Sequence, residues 1–264
     1  MNEARLIIPE DADPKLVDIL EKISNMSEDE FSKFAYYCLE SNNETVVKNM
    51  ACISLEKGYY TLGLELATKA LEITKRPVEI YNLIATSFFN LKKFDTAIEY
   101  YNKAMNGYDK PFPVWRATIL KNIACCYIEK EEYFTAQCKL HDAIQLIMGS
   151  DAYKIDQEIP ELYVIYAILG DCYYKSEDHK NAIKYLKESI NPSLPPEDRL
   201  VSYYNLGVIY EDQEDYQNAL TNYQVALSTY DDVRNKAIID PSMIMDSIKR
   251  MMLKIAESAD NNAS

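Results

Sequence analysis

Glycine is scarce in this 264-residue chain, at six residues, and there is one tryptophan and two histidines. No GxxxxGK, GxGxxG, GxSxG or HExxH motif occurs, so the phosphate loops, nucleophile elbow and zinc-protease helix that these spell are excluded. His141 and His179 lie too far apart in sequence to form a local ligand pair. The six cysteines (Cys38, Cys52, Cys125, Cys126, Cys138 and Cys172) contain no CxxC pair. No metal and no cofactor are expected. Basic residues are in deficit, with 28 Lys and Arg against 42 Asp and Glu, for a net charge of −14. That deficit argues against nucleic acid, which needs a surplus of cations to meet phosphate. No apolar run reaches bilayer-spanning length, so no membrane insertion is expected. The opening MNEARLIIPEDADP lacks the basic-then-apolar order of a signal peptide. A cytoplasmic protein with reduced, mostly buried thiols is the expectation. Short alternating strand patterns are missing too, which leaves an all-α chain.

What is present is helical periodicity, punctuated by ten prolines, nine of which fall where helices should begin or end. After a polar lead-in with a short extended piece at Leu6–Ile8, apolar spacing predicts a helix from Pro14 to Asn25. A second runs to about Leu39, opened by a Ser27–Glu30 capping box. Residues 1–43 read as a lead-in and capping hairpin. From Glu44 a unit recurs. Small residues in its first helix fall at Ala51, Ala85, Ala124, Gly170 and Gly207, steps of 34, 39, 46 and 37. The second helix repeats small residues at Gly63, Ala97, Ala136, Ala182 and Ala219, and again at Ala70, Ala104, Ala143, Ser189 and Ala226. Between them stand Ala67, Tyr101, Leu140, Leu186 and Tyr223. A mostly aromatic turn slot holds Tyr60, Phe94, Tyr133, His179 and Tyr216. Eleven of the 22 tyrosines occupy such packing slots. The acids at the turns, Glu131-Glu132, Glu211-Asp212 and Glu214-Asp215, read as solvated.

This pattern resembles the tetratricopeptide repeat, with five copies at about 44–77, 78–111, 117–150, 163–196 and 200–231. The resemblance implies antiparallel helix pairs stacked in a right-handed superhelical solenoid, with helical caps at both ends. The C-terminal cap is expected over 232–257, where Ile244, Ile248, Met251, Met252 and Ile255 share a face, and 258–264 as a disordered tail. The Met-rich face also offers a docking surface for a partner or a second copy. The inserts Asn106–Val114 and Met148–Pro160 read as structural connections.

The resemblance also implies that first helices line the concave groove. Candidate groove residues are then Lys48, Asn49, Asn82, Thr86, Lys121, Asn122, Asp171, Tyr174, Tyr204, Asn205 and Val208. Asn offers both donor and acceptor to a peptide backbone, and Lys can meet a carboxylate. An extended peptide is therefore expected with an acidic group near Lys48 and Lys121 and an apolar residue near Tyr174 and Tyr204. A merely solvated groove stays open. The two-carboxylate clamp of repeats that hold chaperone tails needs a Lys, Asn, Asn and basic-pair pattern, and none of three frames supplies it. His141, on the polar side of its helix, and His179, in a packing slot, suggest no catalysis. The expectation is a non-catalytic interaction scaffold binding a peptide or partner protein. The alternative is a regulatory or substrate-binding domain of a larger enzyme, such as a bacterial glycosyltransferase or signalling enzyme.

Overall fold

A computed structural model describes residues 22–23, 26–107, 112–192, 194–233 and 239–263. The expected helix over Pro14–Asn25 and extended piece at Leu6–Ile8 lie essentially outside these residues. Thirteen helices and no strand occur among the described residues. The chain divides into two units, Met1–Pro111 and Phe112–Ser264.

The first unit contains α1 (Glu28–Leu39), α2 (Glu44–Glu56), α3 (Tyr60–Ile73), α4 (Pro77–Asn90) and α5 (Phe94–Asn106). The second contains α6 (Pro113–Glu129), α7 (Tyr133–Met148), α8 (Asp151–Ile155), α9 (Pro160–Lys175), α10 (His179–Ser189), α11 (Pro196–Asp212), α12 (Tyr216–Tyr230) and α13 (Pro241–Ala263). Each first helix packs on its own second helix: α2 on α3, α4 on α5, α6 on α7, α9 on α10, α11 on α12. Second helices then meet the next first helix within each unit, as α3 meets α4, α7 meets α9, α10 meets α11 and α12 meets α13.

Local sequence explains where these helices begin. Proline opens α4, α6, α9, α11 and α13, a position where its missing N–H costs nothing. The turn slot supplies the first residue of every second helix: Tyr60, Phe94, Tyr133, His179 and Tyr216. Ser27 and Glu30 close the capping box at α1, with Ser27 N donating to Glu30 at 3.0 Å and Glu30 N to Ser27 Oγ at 3.4 Å. The small slots permit close helix approach. Ala51, Ala85, Ala97, Ala124, Ala136, Ala182 and Ala219 are fully buried, as are the knobs Ala67, Leu140 and Tyr223.

The hairpin turns hold a feature the sequence did not disclose. Gly58 has φ +82°, and Lys92, Glu131, Glu177 and Glu214 have φ of 59°, 61°, 64° and 60°. Each lies seven residues after the small residue of its first helix. The first helix of each of these five helix pairs is thus followed by a left-handed residue at the same place. The bonding follows the Schellman pattern: Glu131 N donates to Ile128 O at 2.9 Å, and Glu132 N to Tyr127 O at 2.8 Å. Only Gly58 adopts this conformation without Cβ strain. A non-glycine residue there costs roughly 1–2 kcal/mol, offset in part by the larger entropy a glycine loses on folding. Glu131→Gly and Glu214→Gly are each expected to stabilise the protein by about 0.5–1 kcal/mol, read as a raised denaturation midpoint. A lowered midpoint would show that side-chain contacts of these glutamates outweigh the strain.

Two expectations are corrected. The last helix runs through 258–263, where a disordered tail was expected; no Gly or Pro interrupts it, and Ser258 Oγ donates to Lys254 O at 2.8 Å. Met252, expected on the packed face of that helix, is 57% exposed, whereas Ile244 and Met251 are buried. The Met148–Pro160 insert forms the short α8, capped by Ser150, whose Oγ accepts from Tyr153 N at 3.1 Å.

Candidate functional site

First helices adjoin one another: α2 meets α4 in the first unit, and α9 meets both α6 and α11 in the second. This gives each unit a face of first helices, and the candidate groove residues lie on these helices.

In the first unit, Lys48 Nζ lies 2.8 Å from Glu79 Oε2, tying α2 to α4. The hydrogen bond from Lys48 to Glu79 holds the Lys48 ammonium above its ordinary value. Asn49 is exposed. Asn82 is half-buried, and its Oδ1 is buried without a protein partner. Thr86 Oγ1 donates to Asn82 O at 3.0 Å and lies 3.2 Å from the Tyr101 hydroxyl, which fixes it to the α5 side.

In the second unit, Lys121 is only 3% exposed, and its Nζ sits 2.8 Å from Glu161 Oε1, joining α6 to α9. The pair is charge contact rather than an aligned hydrogen bond, since that oxygen has no hydrogen-bond partner. Lys121 therefore differs from its expected role as an open cation for an acidic ligand. The sequence reading missed Glu161 and Glu79, although both stand in the first turn after a helix-opening proline, where an acid favours the helix N-terminus.

Tyr174 donates its hydroxyl to Asp212 Oδ2 at 2.6 Å, linking α9 to α11. That bond, with burial, pushes the phenol up to about 12. Asp171 pairs with Lys175 at 3.1 Å on the same helix. The Tyr204 ring packs against Tyr223 at 5.6 Å. Asn122, Asn205 and Val208 are half-buried. Among the described residues, the side chains of Asn122 and Asn205 find no hydrogen-bond partner in the protein. They occupy the same slot, four residues after Thr118 on α6 and after Val201 on α11.

The end of this face is held by a network absent from the sequence reading. Arg250 of α13 donates from Nε to Glu211 Oε1 at 2.6 Å and from its terminal nitrogen to Oε2 at 2.8 Å. Tyr223 donates to the same Oε2 at 2.8 Å. Arg250 chiefly holds the Glu211 carboxyl below the ordinary carboxylate range. Three helices, α11, α12 and α13, thus converge on Glu211, which had been read as a solvated turn acid.

A second concavity, of about 200 Å³, is lined by His141, Ile144, Tyr166, Lys184, Tyr185 and Glu188. Here His141 is half-buried. Its ring nitrogen is 3.1 Å from the Tyr173 hydroxyl, and Tyr173 stacks on Tyr185 at 5.5 Å. Burial and the neighbouring Lys184 hold His141 below its ordinary value. His179 packs its ring against Tyr174 at 5.7 Å. No group of His, Cys, Asp and Glu among the described residues is arranged to hold a metal ion, and no described helix is long and apolar enough to cross a membrane.

Family profiles described as tetratricopeptide repeat match residues 78–106 and 162–232. Heat shock protein STI1 of Saccharomyces cerevisiae is 33% identical over 103 residues, 39% of this chain and 16% of that protein. BBSome complex member BBS4 of Bos taurus is 29% identical over 164 residues, 62% of this chain and 27% of that protein. The chain thus spans well under a third of the length of either curated relative. Among solved structures, the APC/C hetero-tetramer Cut9-Hcn1 matches 88% of this chain and 40% of that one, with a TM-score of 0.62 at 17% identity. Residues 78–106 and 162–232 thus match the tetratricopeptide repeat, and the helix pairs on either side of them follow the same pattern.

Proposed function

We propose that this chain is a protein-interaction scaffold that binds an extended segment of a partner protein along its first-helix face, without catalysis. The observation that carries the reading is the pair of half-buried amides of Asn122 and Asn205, which lack any partner within the described protein. A half-buried amide with free donor and acceptor matches the alternating N–H and C=O groups of an extended peptide backbone. The intervening Ile168 and the nearby Val208, both half-buried, offer apolar contact between those amides. Lys121 and Tyr174, already engaged with Glu161 and Asp212, shape the face rather than supply free charge. Two similar proteins, a BBSome complex member and the Cut9-Hcn1 hetero-tetramer, belong to assemblies, which supports the same class of role here.

The experiment is a selection from a random linear-peptide library with the intact chain as bait. Recovered peptides are expected to bind the wild type and to lose affinity when Asn122 and Asn205 are both replaced by Ala. Recovery of peptides indifferent to both positions would move the binding surface elsewhere.

A further inference from the structure

The charges on the first-helix face of the second unit are mostly engaged with one another. Lys121 is taken by Glu161, Lys175 by Asp171 and Arg250 by Glu211. Two acids are left over, Asp212 and Glu129, both exposed at the C-terminal ends of their helices. Among the described residues no Lys or Arg pairs with Asp212. Its Oδ2 accepts instead from the neutral hydroxyl of Tyr174 at 2.6 Å, and Asp171 and Glu211 act on the same hydroxyl. Glu129 and Asp171 both act on one cation, Lys175. Arg116 and Arg199 do not redress the balance. They stand eight residues before Ala124 and Gly207, the slot that in α9 holds the buried Leu162, on the packed side of the helix.

The face offered to a partner is therefore anionic at one edge. Asp212 lies seven residues after Asn205, about 10 Å along α11 and within about 20° of the same side. An extended chain covers that distance in about three residues. The bond from Tyr174 of α9 holds the carboxylate in one orientation, so little freedom is lost there when a ligand arrives. An ammonium or guanidinium completes such a carboxylate, whereas a second carboxylate is repelled. Resting on the groove reading above, we infer that the bound segment carries a Lys or Arg about three residues beyond the one held by Asn205, and that this side chain pairs with Asp212. The partner is thus a cationic linear segment, opposite in sign to the acidic one that Lys48 and Lys121 suggested when read as open cations.

The test uses peptides recovered from the random linear library by their dependence on Asn122 and Asn205. Lys or Arg should be enriched toward one end of these peptides, with Asp and Glu depleted there. One such peptide should bind Asp212→Asn about tenfold more weakly than wild type. The melting temperature should not change, since Asn keeps an acceptor for Tyr174. Replacing the peptide's basic residue by Gln should weaken binding to wild type by a similar factor. Wild type and Asp212→Asn should then be indistinguishable, as a shared contact requires. Peptides that need both asparagines yet show no basic preference, or that bind Asp212→Asn at full affinity, would overturn this inference and leave the groove reading standing. Peptides indifferent to both asparagines would overturn the two together.

Discussion

Tyr223→Ala should destabilise the C-terminal unit by about 3–5 kcal/mol, the range for deleting a fully buried aromatic ring. Tyr223 is wholly buried, and its ring lies 2.6 Å from where a Cβ on Gly207 would sit. The close approach means that removing the ring opens a void that Gly207 has no side chain to fill. The hydroxyl adds a separate effect by donating to Glu211. Tyr223→Phe keeps the ring and should cost only about 1 kcal/mol, because Glu211 retains both bonds from Arg250. Chemical denaturation of the two variants separates these contributions. Equal losses for Ala and Phe would show that the hydrogen-bond network, not the packing of the repeat, holds this end of the chain.

Lys121→Met should cost about 2–4 kcal/mol. Removing one member of a buried ion pair strands the other charge, at about 3–5 kcal/mol where burial is complete. Glu161 keeps 21% of its side chain exposed, which places the expected loss below that range. Lys121→Met combined with Glu161→Leu should recover most of the stability, since two apolar side chains of similar volume replace the pair without an orphaned charge. Denaturation midpoints of the two variants decide it. A neutral Lys121→Met would mean that Glu161 is solvated without its partner, and Lys121 would return as a candidate for contact with an acidic ligand.

The repeat register was legible because each slot is set by packing. A small residue facing a knob is required wherever two helices approach closely, so Ala97, Ala136, Ala182 and Ala219 recur in sequence and are all fully buried. The turns were less legible. Their left-handed residue has no chemical signature when Lys92, Glu131, Glu177 and Glu214 fill it, because the Schellman bonds fix the conformation against the residue's own preference. The candidate face was legible as a set of positions and not as a set of states. Lys121 meets Glu161 only because α6 and α9 are neighbours across an insert of variable length, and no local pattern links residues forty apart. The surroundings of His141 were not legible for a similar reason: the tyrosines beside it come from α9 and α10. The length of α13 was misjudged where position near the chain end suggested disorder, although no Gly or Pro there breaks a helix.

The central claim is that partners bind across the first-helix face at Asn122 and Asn205. Calorimetric titration of a library-selected peptide tests it most directly, using wild type and the Asn122→Ala/Asn205→Ala variant. The predicted result is one site per chain, an affinity at least about tenfold lower in the double Asn variant, and equal melting temperatures. Equal affinity in wild type and the double Asn variant would contradict it.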